Sequence, residues 1–421
     1  MRNRNWIKIL PLFALSAAVA LSPSFSAGRL PGGREIELRL EDILIFVLGL
    51  VWVLNIILAR RRAGKAPLLY PILAWLGLSL ISTFTNVFLE DLASWRGFFY
   101  FLKILEFVVF YLYFFFTLKK LRSVKLIVNF WIILAVLNAA YVFYQALCFY
   151  FGAKSFWRFG EYGTAALSEW GVFPTGSFFL ILFIFLFNVF IHYFLETDLS
   201  KTKKILLGVA VISPAMGVFG SCSKTSFLAF ILAFLCSAFF SLLKKRSFRL
   251  YAALFLSLLL IIVIFTFIFK TVPDAYRLLD VFSPEKVFAD IKNGRIGQTA
   301  QTLSDNSPGI KGWKILLGAG RGRVEEAHNQ FARDFIEIGV AGTVAFLALV
   351  ALIFKRALSG VLKGDSNFSV GLSSGLFTAT LAMLFCSLAT EPFIVVKTSE
   401  VYWIFVALAM AALTIKENYA R

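Results

Sequence analysis

The residues best suited to chemistry lie in one stretch late in the chain. Residues 318–331 read Gly-Ala-Gly-Arg-Gly-Arg-Val-Glu-Glu-Ala-His-Asn-Gln-Phe, so a glycine-rich turn carrying Arg321 and Arg323 runs directly into His328 and Asn329. An imidazole accepts and releases protons near neutral pH, whereas a guanidinium stays charged at every working pH. The stretch therefore places a candidate general base beside fixed positive charge.

The chain has two histidines, which narrows the choice of a general base. His192 lies late in a long apolar run, where a lone imidazole most often packs or bonds to a backbone carbonyl. His328 instead borders the longest polar stretch of the sequence. We therefore expect general-base catalysis beside that stretch to depend on His328.

Five basic residues lie in or beside the stretches between apolar runs that the charge pattern, described below, assigns to the outer side of a membrane. Basic residues are unusual there, because they concentrate on the cytoplasmic side. Ion pairing with acidic residues of the same loops is one explanation for each of them. As a set they favour an anionic ligand, since guanidinium groups bind phosphate oxygens bidentately, and Gly318 and Gly320 could add backbone N–H donors. The five are Arg158, Lys224, Arg295, Arg321 and Arg323.

A helix beginning near Ala327 would place His328 above a stripe of small residues. Each residue advances a helix by about 100°, so positions 328, 332, 335, 339 and 342 would share one face. Gly339 and Gly342 on that face would let a neighbouring helix approach closely. Glu337 would point the other way, so we expect it to make a structural polar contact within the bundle.

Other chemical motifs are missing from the sequence. It has no pair of carboxylates at glycosidase-like spacing, no D-x-D motif and no Walker loop, and its four cysteines form no C-x-x-C motif. We therefore expect neither a metal nor a nucleotide cofactor. Lys103 and Glu106, three residues apart in an apolar run, are predicted to form a structural ion pair.

The composition determines which kind of element must position these residues. Hydrophobic residues make up 59% of the 421 residues and charged residues only 16%, which is too apolar for a soluble globule. Repeated apolar runs of roughly 17–25 residues predict membrane-spanning helices. The formal charge of +18 falls in short basic clusters between these runs, where it indicates topology rather than binding of nucleic acid.

The order of the runs predicts an all-α polytopic membrane protein with about 12 transmembrane helices. Residues 1–269 hold helices 1–9 with short loops, residues 270–327 form a large periplasmic loop subdomain with short helices, and residues 328–421 hold helices 10–12. The first run also resembles a signal peptide, and a retained first span fits equally well. Both termini and every basic cluster between the runs then lie in the cytoplasm.

The late motif resembles the O-antigen ligase and polymerase superfamily. Residues 328–342 follow that family's pattern H-N-x-aromatic-x-x-x-apolar-x-E-x-G-x-x-G. Residues 317–320 are similar to its G-x-G segment, residues 293–295 to its loop arginine, and residues 221–225 to its S-R-[GT] turn. Lys224 stands where the family usually has arginine, which keeps the charge but loses the bidentate fork.

The resemblance implies a metal-independent, inverting glycosyltransferase of the bacterial inner membrane, with its active site facing the periplasm. A ligase of this family would move a glycan from undecaprenyl diphosphate to a lipid A core acceptor, in lipopolysaccharide biosynthesis. His328 would be the general base, the five basic residues would bind the diphosphate, and Asn329, Gly318 and Gly320 would support the motif. An O-antigen polymerase, which uses a carrier-linked glycan as acceptor, and a transporter of polyprenyl-linked glycans remain as alternatives.

Overall fold

The computed structural model describes most of the chain. The described residues are 4–21, 24–29, 35–58, 66–90, 94–152, 172–196, 198–244, 248–289, 296–306, 310–324, 327–364 and 366–419. Within them the protein is almost entirely α-helical, and ten stretches are long and apolar enough to cross a membrane. An all-α, multi-pass membrane protein is therefore the fold class, as the sequence predicted.

Each apolar run found in the sequence contains a helix. In chain order the helices are α1 (Arg4–Leu21), α2 (Leu40–Leu58), α3 (Leu69–Glu90), α4 (Ser94–Thr117), α5 (Leu121–Tyr150), α6 (Val172–His192), α7 (Lys201–Ile212), α8 (Ala215–Gly220), α9 (Lys224–Lys244), α10 (Phe248–Thr271), α11 (Pro284–Ala289), α12 (Ile296–Asn306), α13 (Trp313–Leu317), α14 (Gln330–Lys363), α15 (Asn367–Ser387) and α16 (Val396–Tyr419). Helices α7 and α8 divide one apolar stretch at Pro214, which lacks the N–H that a continuous helix would use.

The polar stretch between α10 and α14 is folded. A 3₁₀ helix over Pro273–Phe282 is followed by α11, α12 and α13, so the predicted short helices are present. A feature that the sequence did not predict lies between α1 and α2, where strands β1 (Ser24–Arg29) and β2 (Glu35–Arg39) pair in an antiparallel ladder.

The centre of the bundle is formed by α6 and α15. Nearly every described side chain of α6 is buried, because α8, α9, α15 and α16 surround it. A Cβ added at Gly371 of α15 would lie 2.9 Å from the Cα of Val189, so the two helices pack almost backbone to backbone. Helices α3, α4, α14 and α16 pack at one side of this centre and carry the polar residues described next.

Candidate functional site

His328 lies just before α14, not within it. The helix begins at Gln330, and Asn329 is its N-cap, with Oδ1 accepting hydrogen bonds from the N–H groups of Phe331 (2.9 Å) and Ala332 (3.0 Å). The prediction of a helix beginning near Ala327 is therefore wrong by three residues. His328 shares no helical face with positions 332 and 335, because it precedes the N-cap Asn329 and lies outside the helix.

The backbone of His328 is held in the left-handed region, with φ of 52°. That conformation is uncommon for residues other than glycine and costs about 1–3 kcal/mol. The flanking residues are fixed on both sides. The N–H of Ala327 donates to Oε1 of Glu391 (2.5 Å), and Nδ2 of Asn329 donates to the carbonyl of Leu388 (3.2 Å). The half-buried His328 is thus clamped between α14 and the α15–α16 connection.

The glycine-rich turn inserts against a break in α14. Gly339 has φ of 65° and ψ of −171°, which interrupts the helical hydrogen-bond ladder. The N–H groups of Ala319 and Gly320 donate to the carbonyls of Ile336 (2.8 Å) and Glu337 (2.9 Å) beside that break. These bonds satisfy carbonyls that an uninterrupted helix would use internally, so the turn and the break form one unit.

The turn binds an anion that belongs to the protein itself. The N–H of Gly322 and Nε of Arg333 both donate to Oε1 of Glu337, at 3.0 and 3.1 Å. The N–H of Gly318 donates to the carbonyl of Lys314 (2.7 Å), and that of Gly320 to the carbonyl of Glu337. The donors that the sequence assigned to an external anion therefore have partners inside the protein. Glu337 makes the structural polar contact that was predicted for it.

Arg321 is also engaged internally. Its Nη1 donates to Asp334 Oδ1 (2.8 Å) and to Glu337 Oε2 (3.3 Å), and its Nη2 donates to Ser79 Oγ (3.3 Å). The side chain is almost completely buried. The sequence predicted that Arg321 binds a diphosphate. In the structure it binds two carboxylates of α14 instead, those of Asp334 and Glu337.

The rest of this buried network was missed by the sequence reasoning. Arg333 bonds to Glu337 and Glu391, donates to the carbonyl of Val324 (3.0 Å) and lies over the ring of Tyr100, 4.9 Å from its centroid. Charged residues four apart in an apolar helix are a signal that could have revealed it. The network pairs two arginines with three carboxylates, so it fixes the turn and the His328 segment and adds no positive charge.

A pocket of about 160 Å³ opens beyond this network, where the turn meets α3 and α4. Arg323 reaches it, is exposed, and forms no ion pair with any residue that the structure describes. Arg96, which no sequence pattern indicated, also lines this pocket. The lining residues are Thr83, Asn86, Val87, Arg96, Gly97, Gly320, Arg321, Gly322 and Arg323.

Lys224 begins α9 and already has an acidic partner. Its Nζ lies 3.1 Å from Asp280 Oδ2 on the 3₁₀ helix, and Lys286 Nζ lies 2.7 Å from the other oxygen. Hydrogen bonds from Lys286 and then Lys224 hold the pKa of Asp280 below its usual value. Asp280 therefore stays ionised and holds Lys224 at neutral pH.

Arg158 and Arg295 lie outside the described residues, so their predicted role in binding the diphosphate stays a prediction. His192 lies 3.4 Å from Ser241 Oγ in the buried core, which agrees with the structural role predicted for it. Among the predicted site residues, Gly318, Gly320 and Arg321 belong to one network. His328 and Asn329 lie at the edge of that network. Lys224 belongs to a separate ion pair.

A second buried polar cluster lies where α2, α4 and α16 meet. Lys103 bonds to Asp42 (2.5 Å) and to Glu106 (2.9 Å), which confirms the predicted Lys103–Glu106 pair. Lys397 bonds to Glu41 and to Glu400. These lysines pair with the carboxylates of Glu41, Asp42 and Glu400, which lie within 4.8 Å of one another. The cluster joins the beginnings of α2 and α16 to the middle of α4.

No family model and no curated protein matches this chain. The resemblance to the O-antigen ligase and polymerase superfamily therefore depends on the residues themselves.

Proposed function

We propose that the protein is a glycosyltransferase similar to O-antigen ligases, which moves a glycan from undecaprenyl diphosphate to a lipid A core acceptor. The observation that carries the proposal is the clamped, left-handed backbone of His328 at the polar end of the bundle. Strained backbone that its neighbours hold in place is typical of active-site residues. A histidine whose backbone is held in this way can present its imidazole to an acceptor hydroxyl at a lower ordering cost.

In the proposed reaction, His328 takes the proton of the acceptor hydroxyl as that oxygen bonds to the anomeric carbon. The bond from the anomeric carbon to the diphosphate oxygen breaks, and its electron pair leaves with the diphosphate. Direct attack inverts the anomeric centre. General-base catalysis contributes about 10²–10⁴ in rate. The departing diphosphate would be stabilised by fixed positive charge in a site with little water.

We assign that charge to Arg323, Lys224, Arg295 and Arg158. Arg323 is supported by its exposure in the pocket next to the turn. Lys224 can act only after the donor displaces Asp280. Arg321 is reassigned to positioning, because its bonds to Asp334 and Glu337 hold the turn that carries Arg323.

We further propose twelve spans, with residues 270–327 on the periplasmic side of the bacterial inner membrane and both termini in the cytoplasm. The support is the placement of buried charged residues near the beginnings of three helices, α2, α14 and α16. In the predicted topology, all of these helix ends face the periplasm.

The test is a transfer assay with purified full-length protein, carrier-linked glycan and lipid A core. His328→Ala should lower the rate by about 10²–10⁴, whereas His192→Ala, the matched control in the core, should keep most of it. EDTA should leave the rate unchanged, since no metal is expected. Full activity of His328→Ala would overturn the general-base assignment. Elongation of the carrier-linked glycan with untouched lipid A core would replace the ligase assignment with the polymerase.

A further inference from the structure

The 3₁₀ helix over Pro273–Phe282 has one apolar face that is exposed. A 3₁₀ helix has about three residues per turn, so side chains three apart in the sequence share a face. Ala275 and Leu278 share a fully buried face, which packs on the core of the bundle. The next face carries three large side chains that are 59%, 43% and 65% exposed, those of Tyr276, Leu279 and Phe282. An exposed apolar row of this kind marks a surface that binds a partner or a membrane.

The 3₁₀ helix is held near the ends of two candidate spans. It begins directly after α10, and the N–H of Ala275 donates to the carbonyl of Val272 (3.0 Å). Toward its other end, Asp280 Oδ2 lies 3.1 Å from Nζ of Lys224, the first residue of α9. Because α9 and α10 are consecutive spans, the beginning of α9 and the end of α10 lie at the same side of the membrane. The 3₁₀ helix therefore runs along the membrane surface and not away from it.

The exposed face continues the lipid-facing surface of α10. Ile262, Val263 and Phe269 are exposed apolar side chains within that candidate span, so they face hydrocarbon. The ring of Phe282 lies 6.1 Å from the ring of Phe227, in the first turn of α9, so the exposed face reaches the level of a span. The surface of the bundle that contacts lipid thus extends without interruption onto the 3₁₀ helix.

The third face of the 3₁₀ helix is polar. Arg277 is exposed on it, and Asp280 forms ion pairs with Lys224 and Lys286. Helices that lie in the membrane interface combine an apolar face with a polar face that carries basic residues. Such a helix turns its apolar side chains toward the acyl chains and keeps its charged groups among the head groups and water.

We propose that the exposed face of the 3₁₀ helix inserts into the membrane, with Tyr276, Leu279 and Phe282 at the boundary between head groups and acyl chains. The partner of this face is the lipid of the surrounding bilayer. Insertion fixes the depth of the 3₁₀ helix, and with it the position of Asp280 beside Lys224. The lipid contact is independent of glycan transfer and of the side of the membrane on which the loop lies.

The experiment places a nitroxide spin label on two faces of the 3₁₀ helix in the full-length protein, reconstituted in vesicles of phosphatidylethanolamine and phosphatidylglycerol. Tyr276→Cys and Leu279→Cys label the exposed apolar face. Arg277→Cys, next in sequence to Tyr276 but on the polar face, is the matched control. Electron paramagnetic resonance then compares collisions of each label with oxygen, which concentrates in the bilayer, and with a water-soluble nickel chelate. The unsubstituted chain gives the background from the native cysteines.

Labels at positions 276 and 279 should collide with the nickel chelate about tenfold less often than the label at position 277, because an apolar layer excludes a polar complex. They should also collide with oxygen more often. All three replaced side chains are exposed, so the variants should fold normally, which the thermal midpoint checks.

Three results would overturn the proposal. Frequent collisions of the labels at 276 and 279 with the nickel chelate would place the face in water. Rare collisions of these labels with both reagents would show that protein covers the face, such as a second copy of the chain. Equal collision rates at all three positions would show that the helix does not present one face to the lipid.

Discussion

Asp280 holds the ammonium group of Lys224 much as a phosphate oxygen would. Its lowered pKa means that its stabilising contribution is present above the ordinary aspartate pKa and is lost as the pH falls through the lower, folded-state value. Near neutral pH the carboxylate therefore stays charged. A donor diphosphate must compete with it for Lys224.

Asp280→Asn should accordingly lower the KM for the glycan donor, because the competing charge is removed, while kcat changes less. Asp305→Asn is the matched control, since Asp305 is exposed on α12, nearby in the chain, and has no bond to Lys224. Steady-state kinetics at several donor concentrations would separate the two parameters. If both variants change KM equally, Asp280 acts only through the overall negative charge of the loop. Lys224 would then not be a donor-binding residue.

At the scale of elements, the turn and the break in α14 depend on each other through backbone contact. A Cβ added at Gly318 would lie 2.4 Å from the carbonyl group of Glu337, and one at Gly339 would lie 2.4 Å from the carbonyl oxygen of Leu316. Both glycines also have positive φ. No side chain fits between these segments, so glycine is required at both positions.

Gly318→Ala should therefore destabilise the protein by more than about 1 kcal/mol, through the positive φ and the clash together. Gly77→Ala is the matched control, because Gly77 lies within α3 and a Cβ there meets nothing within 4 Å. Alanine at that helical position should be neutral or stabilising. The midpoints of thermal unfolding in detergent compare the stabilities of the two variants. Equal midpoints for the two variants would show that the turn does not hold α14 in its broken form.

The sequence predicted the helices well because membrane spans depend on hydrophobicity, which can be counted directly. It did not predict the break at Gly339, since apolar residues continue on both sides of it. The pairing of Arg321 with Asp334 was also missed, because it joins a turn to a helix through tertiary packing. Arg96 escaped notice for the same reason, since it reaches the pocket only when α4 meets the turn.

At the scale of the whole molecule, the buried charges define one end of the bundle. Arg333 and Glu337 bond near the start of α14, and Lys397 and Glu400 bond near the start of α16. Charge is costly in hydrocarbon, so such groups gather near a boundary where water and partners are available. The basic clusters Lys119–Lys120 and Lys201–Lys204 lie at the opposite helix ends in the predicted topology. One end of the bundle therefore holds buried ion pairs, and the opposite end carries clusters of basic residues.

This asymmetry predicts which positions are accessible from each side of the membrane. Gln301 is exposed on α12, and Lys120 is exposed between α4 and α5. Gln301→Cys should react with a membrane-impermeant maleimide in cells whose outer membrane has been made permeable, whereas Lys120→Cys should react only after the inner membrane is lysed. The unsubstituted chain gives the background from its native cysteines. The reverse pattern would place the His328 end in the cytoplasm, where lipid A core acceptors and glycan carriers would not meet it as proposed.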